Sequence, residues 1–80
     1  KKEELIDISK EVLDLDDEIN KISKEILELI KKLLRLKEEG REDKDKAREV
    51  KRRIRELHRR IQELNKRLRE LHKRVQETKR

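Results

Sequence analysis

The chain has 80 residues, enough for one domain at most, and 58% of them are charged, 30% are hydrophobic and none is aromatic. The absence of cysteine excludes disulfides and thiolate metal sites, and no apolar run approaches the roughly 18 residues of a membrane span. No signal peptide is recognisable, so we expect a water-soluble protein, and the sequence indicates no particular compartment.

Hydrophobic periodicity overrules the disorder that is typical of so charged and aromatic-free a chain. Aliphatic residues return every seven positions, a pattern typical of coiled coils. Two helices alone bury little core, so we expect a chain of this size to associate with further copies.

The first predicted element is helix 1, over about residues 3–39. Its 3.5-residue hydrophobic repeat predicts left-handed supercoiling with knobs-into-holes packing. With the heptad positions lettered a to g, the a residues are Leu5, Val12, Ile19, Ile26 and Leu33, and the d residues are Ile8, Leu15, Ile22, Leu29 and Leu36.

Helix 1 carries a second apolar stripe beside this seam, at its b and e positions. The apolar stripe consists of Ile6, Leu13, Leu27, Ile30 and Leu34. On a single chain these side chains would form a long exposed patch, and such patches mark interaction sites. We therefore predict that they form an oligomer interface, with Asn20, in line with them, as a buried residue that sets specificity.

The strongest break in the sequence lies at residues 38–43, Glu-Glu-Gly-Arg-Glu-Asp. Gly40 suits the position after a helix, which often needs positive φ, and Asp43 suits the N-cap of the next helix. A loop over 40–42 this short makes the two helices antiparallel neighbours. The predicted fold is thus all-α, a single helical hairpin spanning residues 1–80.

The second predicted element is helix 2, over about residues 43–79. Residues 44–80 have a net charge of +10, whereas residues 1–43 have a net charge of −4. Glutamate occupies each c position from 49 to 77. The a residues are Ala47, Ile54, Ile61, Leu68 and Val75, and the d residues are Val50, Leu57, Leu64, Leu71 and Thr78.

The register of the hairpin follows from the rule that facing residues of antiparallel helices have numbers with a constant sum. A sum of 83 sets every a residue opposite a d residue, for example Leu36 opposite Ala47. One flank, formed by the g positions, is then predicted to carry complementary charges that set partner and orientation. The predicted pairs are Glu25–Arg60, Glu18–Arg67 and Glu11–Arg74.

The opposite flank, formed by the e positions, carries short polar groups at heptad spacing. The same register sets Ser23 against His58, Asp16 against Asn65, and Ser9 against His72. The other solvent positions of helix 2 are almost all Arg, Lys, Glu or Gln. We interpret the six e residues as a hydrogen-bond network shut away from water where chains meet, because buried polar groups must be bonded.

The width of the apolar faces predicts how the hairpins assemble. Helix 1 presents a, b, d and e positions, an arc of about 160°, whereas helix 2 presents only a, d and e. We therefore expect helix 1 inside and helix 2 outside, in a six-helix bundle of three hairpins. A four-helix homodimer is the alternative, but helix 2 would then be expected to carry a wider apolar face.

These heptads, the loop at 38–43 and the line of His58, Asn65 and His72 resemble the de novo designed helical-hairpin homo-oligomers with buried hydrogen-bond networks, particularly the pH-responsive, histidine-containing type. The resemblance covers nearly the whole chain. It implies a homotrimer that comes apart on acidification, sometimes with membrane disruption by the released helices. The middle layer departs from that type, since it holds Asn65 and Asp16 rather than histidine.

The two histidines predict an acid response from physical chemistry alone. Burial disfavours a charged imidazole, so dissociated chains bind more protons than the assembly and acid favours dissociation. Histidine ordinarily titrates near pH 6.5, so we expect the oligomer to loosen between about pH 6 and 4. Freed helix 1 could then insert its apolar stripe into a membrane interface.

Other functions find less support in the sequence. Catalytic motifs are absent, so we expect neither an enzyme nor a cofactor. His58 and His72 lie about 21 Å apart along one helix, too far to share a metal ion. A static oligomer that uses its polar layers only for specificity is one alternative. Nonspecific binding of polyanions or membranes by basic helix 2 is another, without specific nucleic-acid recognition.

Overall fold

The computed structural model describes residues 2–40 and 43–79, the Lys79 side chain excepted, and folds as an antiparallel helical hairpin. Helix α1 spans Lys2–Glu38 and helix α2 spans Lys44–Lys79. Each helix begins and ends within one residue of its predicted bounds. The hairpin is 59 Å long and 15 by 13 Å across. Residues 41 and 42 of the predicted loop lie outside the described residues.

The residues next to the loop account for where the helices stop and start. Gly40 has a φ of 66°, and its N–H donates to the Lys37 carbonyl at 3.2 Å. Asp43 caps α2, because its Oδ1 accepts from the Asp45 N–H and its carbonyl accepts from the Ala47 N–H, each at 3.0 Å. Both predicted roles, positive φ at Gly40 and N-capping by Asp43, are confirmed.

At each end of the hairpin, residues of α1 and α2 line a common hollow. Near the loop, Leu33, Leu36 and Ala47 line one hollow, where the small Ala47 side chain leaves space opposite leucine. At the other end, Glu4 and Thr78 line a common cleft.

The core is the seam of a and d residues. All twenty are buried or half-buried, while almost every other described side chain is exposed. The buried members are Ile8, Ile26, Val50, Leu57, Leu64, Leu68 and Leu71, of which Leu71 is fully buried. Thirteen of the twenty are thus only half-buried, because two helices cannot enclose a seam on all sides. Neither helix, over the part described, is long and apolar enough to cross a membrane.

Candidate self-association surface

The g flank of the hairpin is closed by three repeated ion-pair bridges. In each bridge an α2 arginine contacts one glutamate of α1 and the glutamate three residues further along α2, and a guanidinium has enough donors for both. Arg67 contacts Glu11 at 2.9 Å and Glu70 at 3.4 Å, Arg60 contacts Glu18 at 3.0 Å and Glu63 at 3.3 Å, and Arg53 contacts Glu25 at 3.2 Å and Glu56 at 3.6 Å.

These contacts correct the predicted g pairs by one heptad. The sequence register joined Glu25 to Arg60, Glu18 to Arg67 and Glu11 to Arg74. Instead, each of these glutamates binds the arginine seven residues earlier in α2. Each arginine also contacts a glutamate three residues further along α2, and in an antiparallel hairpin that direction leads to earlier residues of α1.

Two of the bridges raise the pKa of their arginine, which is the direction that ion pairing requires. Hydrogen bonds to Glu18 and then Glu63 raise the pKa of the Arg60 guanidinium, and the bond to Glu11 raises the pKa of Arg67. A cation whose pKa is raised by folding stabilises the fold at every pH below that pKa. This contribution to stability is lost only as pH rises through the strongly alkaline range. The arginines therefore stay charged throughout the mildly acidic range.

The burial pattern shows that side chains on the g flank are partly covered within a single chain. Away from the seam, the side chains of residues 2–40 and 43–78 that are not exposed are Glu11, Glu18 and Arg67, all at g positions. In α2 the d residues from 50 to 71 are buried, whereas Ile54 and Ile61 at a positions remain half-exposed. Because d lies beside g and a lies beside e on a helix, the α2 side of the seam is more exposed toward the e flank, whereas the a and d residues of α1 are buried to similar extents.

The apolar stripe of α1 is exposed in the single chain. Among the described residues, the exposed large hydrophobic side chains are the five of this stripe, and each is between 40% and 65% exposed. They are Ile6, Leu13, Leu27, Ile30 and Leu34. The stripe runs about 42 Å at 1.5 Å per residue, from residue 6 to residue 34. It therefore extends along most of the hairpin and borders the open side of the seam.

The polar residues of the e flank are exposed too, as is Asn20 within the apolar stripe. The Ser9 hydroxyl donates to the Leu5 carbonyl of its own helix at 2.8 Å. Over the described residues, no hydrogen bond joins Ser9, Asp16, Ser23, His58, Asn65 and His72 to one another across the hairpin. A bonded network among them in an assembly stays a prediction.

The charges around the histidines follow a repeated motif. Arg-Glu-Leu-His occurs at 55–58 and again at 69–72, so each histidine has an arginine one turn earlier, Arg55 or Arg69. At the b and e positions of α1 and α2 the sole carboxylate is that of Asp16. Each histidine on this flank therefore has a cation one turn away along α2, and the flank holds one carboxylate.

Two further searches, one for metal-binding clusters and one for similar proteins, gave no additional indication of function. In the part of the chain that is described, no cluster of His, Cys, Asp or Glu could hold a metal ion. Comparisons with family models, curated proteins and solved structures found no match.

Proposed function

We propose that the hairpin is a self-assembling structural module, without catalytic activity, that forms a homotrimeric six-helix bundle destabilised by acid. The observation that carries this proposal is the exposed apolar stripe of α1. Burying an aliphatic side chain contributes about 1.5–3 kcal/mol relative to full exposure. Five half-exposed side chains per chain therefore supply a substantial driving force for association, and contiguous exposed patches of this kind are rare on monomers.

A second copy of this chain is the occupant that fits the apolar stripe. The stripe is about 42 Å long on a hairpin of 59 Å, so α1 of another copy is long enough to cover it from end to end. Closed cyclic symmetry is the usual arrangement for such self-complementary contacts. The resemblance to designed hairpin trimers supports the same assembly.

The polarity of α2 favours three copies over two. Arginine and glutamine occupy its b positions, at Arg48, Arg55, Gln62, Arg69 and Gln76. A four-helix dimer would place α2 against more neighbours and call for an apolar b face there. In a trimer, three α1 helices surround the axis and α2 packs outside them, so its b face can stay charged.

Polar residues in the proposed interface have a role in specificity. Asn20 interrupts the apolar stripe near its middle, and three copies would meet in one layer. Because a buried amide must be hydrogen-bonded, a shifted register or a wrong number of chains leaves it unsatisfied. The e residues impose the same requirement at three further levels.

The acid response follows from protonation of His58 and His72 in the assembly. An imidazole enclosed between chains is held neutral, because burial disfavours its charged form. Arg55 and Arg69 act in the same direction, while Asp16 opposes it. Dissociated chains then bind more protons, so the assembly is stable above about pH 6.5 and loses stability as pH falls below that value.

The test is the oligomer mass of the full chain, by native mass spectrometry, from pH 8 to pH 5, where carboxylates as a class stay ionised. We expect trimers at pH 8 and a growing monomer population toward pH 5. The control variant, His58→Asn with His72→Asn, should stay trimeric throughout. Trimers of both proteins at pH 5 would leave a static oligomer as the function.

Membrane binding after dissociation forms a conditional part of the proposal. Released α1 helices present aliphatic stripes that suit a membrane interface, next to basic α2 helices that suit anionic lipids. Dye leakage from anionic vesicles should therefore appear at pH 5 and be absent at pH 7.5. Equal leakage at both pH values would contradict this part of the proposal, because membrane binding would then not depend on acid dissociation.

A further inference from the structure

The outer face of α2 carries a row of cations at alternating b and f positions. Steps of four and three residues keep such positions on one line along a helix. We call this line the basic row; it contains Arg48, Arg52, Arg55, Arg59, Lys66, Arg69 and Lys73, with glutamine at 62 and 76. Its cations span about 38 Å at 1.5 Å per residue, with no acidic residue among them.

The cations of the basic row are exposed and unpaired over the described residues. None of the seven forms an ion pair or a side-chain hydrogen bond there, and all seven are exposed. Three g-position arginines of the same helix, Arg53, Arg60 and Arg67, by contrast each contact two glutamates. Two sets of cations on one helix thus differ in their availability to an external anion.

The carboxylates closest to the basic row are turned away from it. Glutamates occupy the adjoining c positions, and three of them bind the g arginines on their far side. Glu56 contacts Arg53, Glu63 contacts Arg60 and Glu70 contacts Arg67, at 3.6, 3.3 and 3.4 Å. These contacts offset the carboxylate charge locally, so the row keeps most of its positive field.

We propose that the basic row binds a linear sulfated polysaccharide lying along α2. Arginine presents a rigid donor fork that matches the oxygens of sulfate and phosphate groups. A flexible polyanion can follow a straight row, whereas α2 in a duplex groove would set its c-position glutamates against one phosphate wall. Single-stranded nucleic acid would lack the aromatic side chains on which its bases stack.

The test compares two variants with the same net charge, using heparin as the probe in titration calorimetry at pH 7.5. The row variant carries Arg48→Gln, Arg52→Gln, Arg55→Gln and Arg59→Gln. The matched control carries Lys10→Gln, Lys21→Gln, Lys24→Gln and Lys32→Gln, so both fall from +6 to +2. We expect the row variant to bind about tenfold or more weakly, and the control to lose less than about threefold.

Each outcome bears on the proposal. An equal loss in both variants would reduce binding to net charge and overturn the basic row as a site. Duplex DNA bound as tightly as heparin at the same salt concentration would overturn the choice of occupant. Circular dichroism checks that α2 stays helical. If the larger variant unfolds, Arg52→Gln with Arg59→Gln is compared with Lys10→Gln with Lys24→Gln, which has the same net charge; about threefold weaker binding is expected for the first and almost none for the second.

Discussion

The two flanks of this hairpin differ in whether a single chain can complete them. On the g flank, long arginine and glutamate side chains reach across the helices and form bridges that repeat every heptad. On the e flank the side chains are too short to do so, and the neighbouring α1 positions are aliphatic and exposed. Long charged residues close a seam within one chain, whereas short polar residues beside an apolar stripe call for another chain.

The largest expected effect comes from making the open flank polar. The double substitution Leu13→Gln and Leu27→Gln removes about 1–2 kcal/mol of association energy per side chain and adds amides that need partners. We expect the trimer to dissociate to helical monomers, measured by sedimentation velocity at pH 8. Leu13→Met with Leu27→Met, which conserves volume and polarity, is the control, and an unchanged mass in the glutamine variant would remove the stripe from the interface.

A buried leucine of the seam separates hairpin stability from assembly. Leu71 is fully buried within one chain, so Leu71→Ala should lower the free energy of unfolding by about 2–5 kcal/mol per chain. Leu13→Ala should instead destabilise the protein only at concentrations where it assembles. Urea denaturation of both variants at low and high protein concentration distinguishes the effects. Equal losses at both concentrations would mean that Leu13 stabilises the hairpin itself.

Acid should affect the two flanks differently, because both histidines lie on the e flank. His58→Asn with His72→Asn should shift the urea midpoint of the assembly at pH 5 toward its value at pH 8, because no imidazole remains to be charged. At pH 8 the variant and the parent should differ little. If the parent has the same midpoint at both pH values, histidine burial is not coupled to assembly.

The smallest effect is expected on the closed flank. Arg60→Gln breaks one exposed bridge, and such pairs contribute little in water and less in salt. We expect the thermal midpoint to fall by only about one or two degrees at low salt, with no change in oligomer mass. The matched control is Arg59→Gln, which removes an unpaired cation next to it. Loss of the trimer in Arg60→Gln would contradict the division between flanks.

Sequence reasoning located the fold but missed the partners on its closed side. Heptads, Gly40 and Asp43 predicted the helices and their ends, since each signal acts locally. The g pairs were wrong by a heptad because an antiparallel register allows two partners for each arginine. The choice between them depends on the own-helix glutamates at Glu56, Glu63 and Glu70, whose spacing after each arginine was the available signal.

The predicted interface followed from sequence for a different reason. Seam and stripe are separate positions on a regular helix, so the exposure of Leu13 and Leu27 could be worked out without a tertiary structure. The proposed bonding of His58, Asn65 and His72 could not be worked out in this way, because in the proposed assembly it depends on groups of other chains. In a single hairpin these three side chains are exposed to solvent.

The most direct measurement is the mass of the full chain at pH 8, by sedimentation velocity from about 1 to 100 µM. Burial of the apolar stripe between three copies predicts a species of about 30 kDa, three times the 9.9 kDa of one chain, persisting across most of that range. A helical monomer at the highest concentration would contradict self-association, and a species of about 20 kDa would replace the trimer with a dimer.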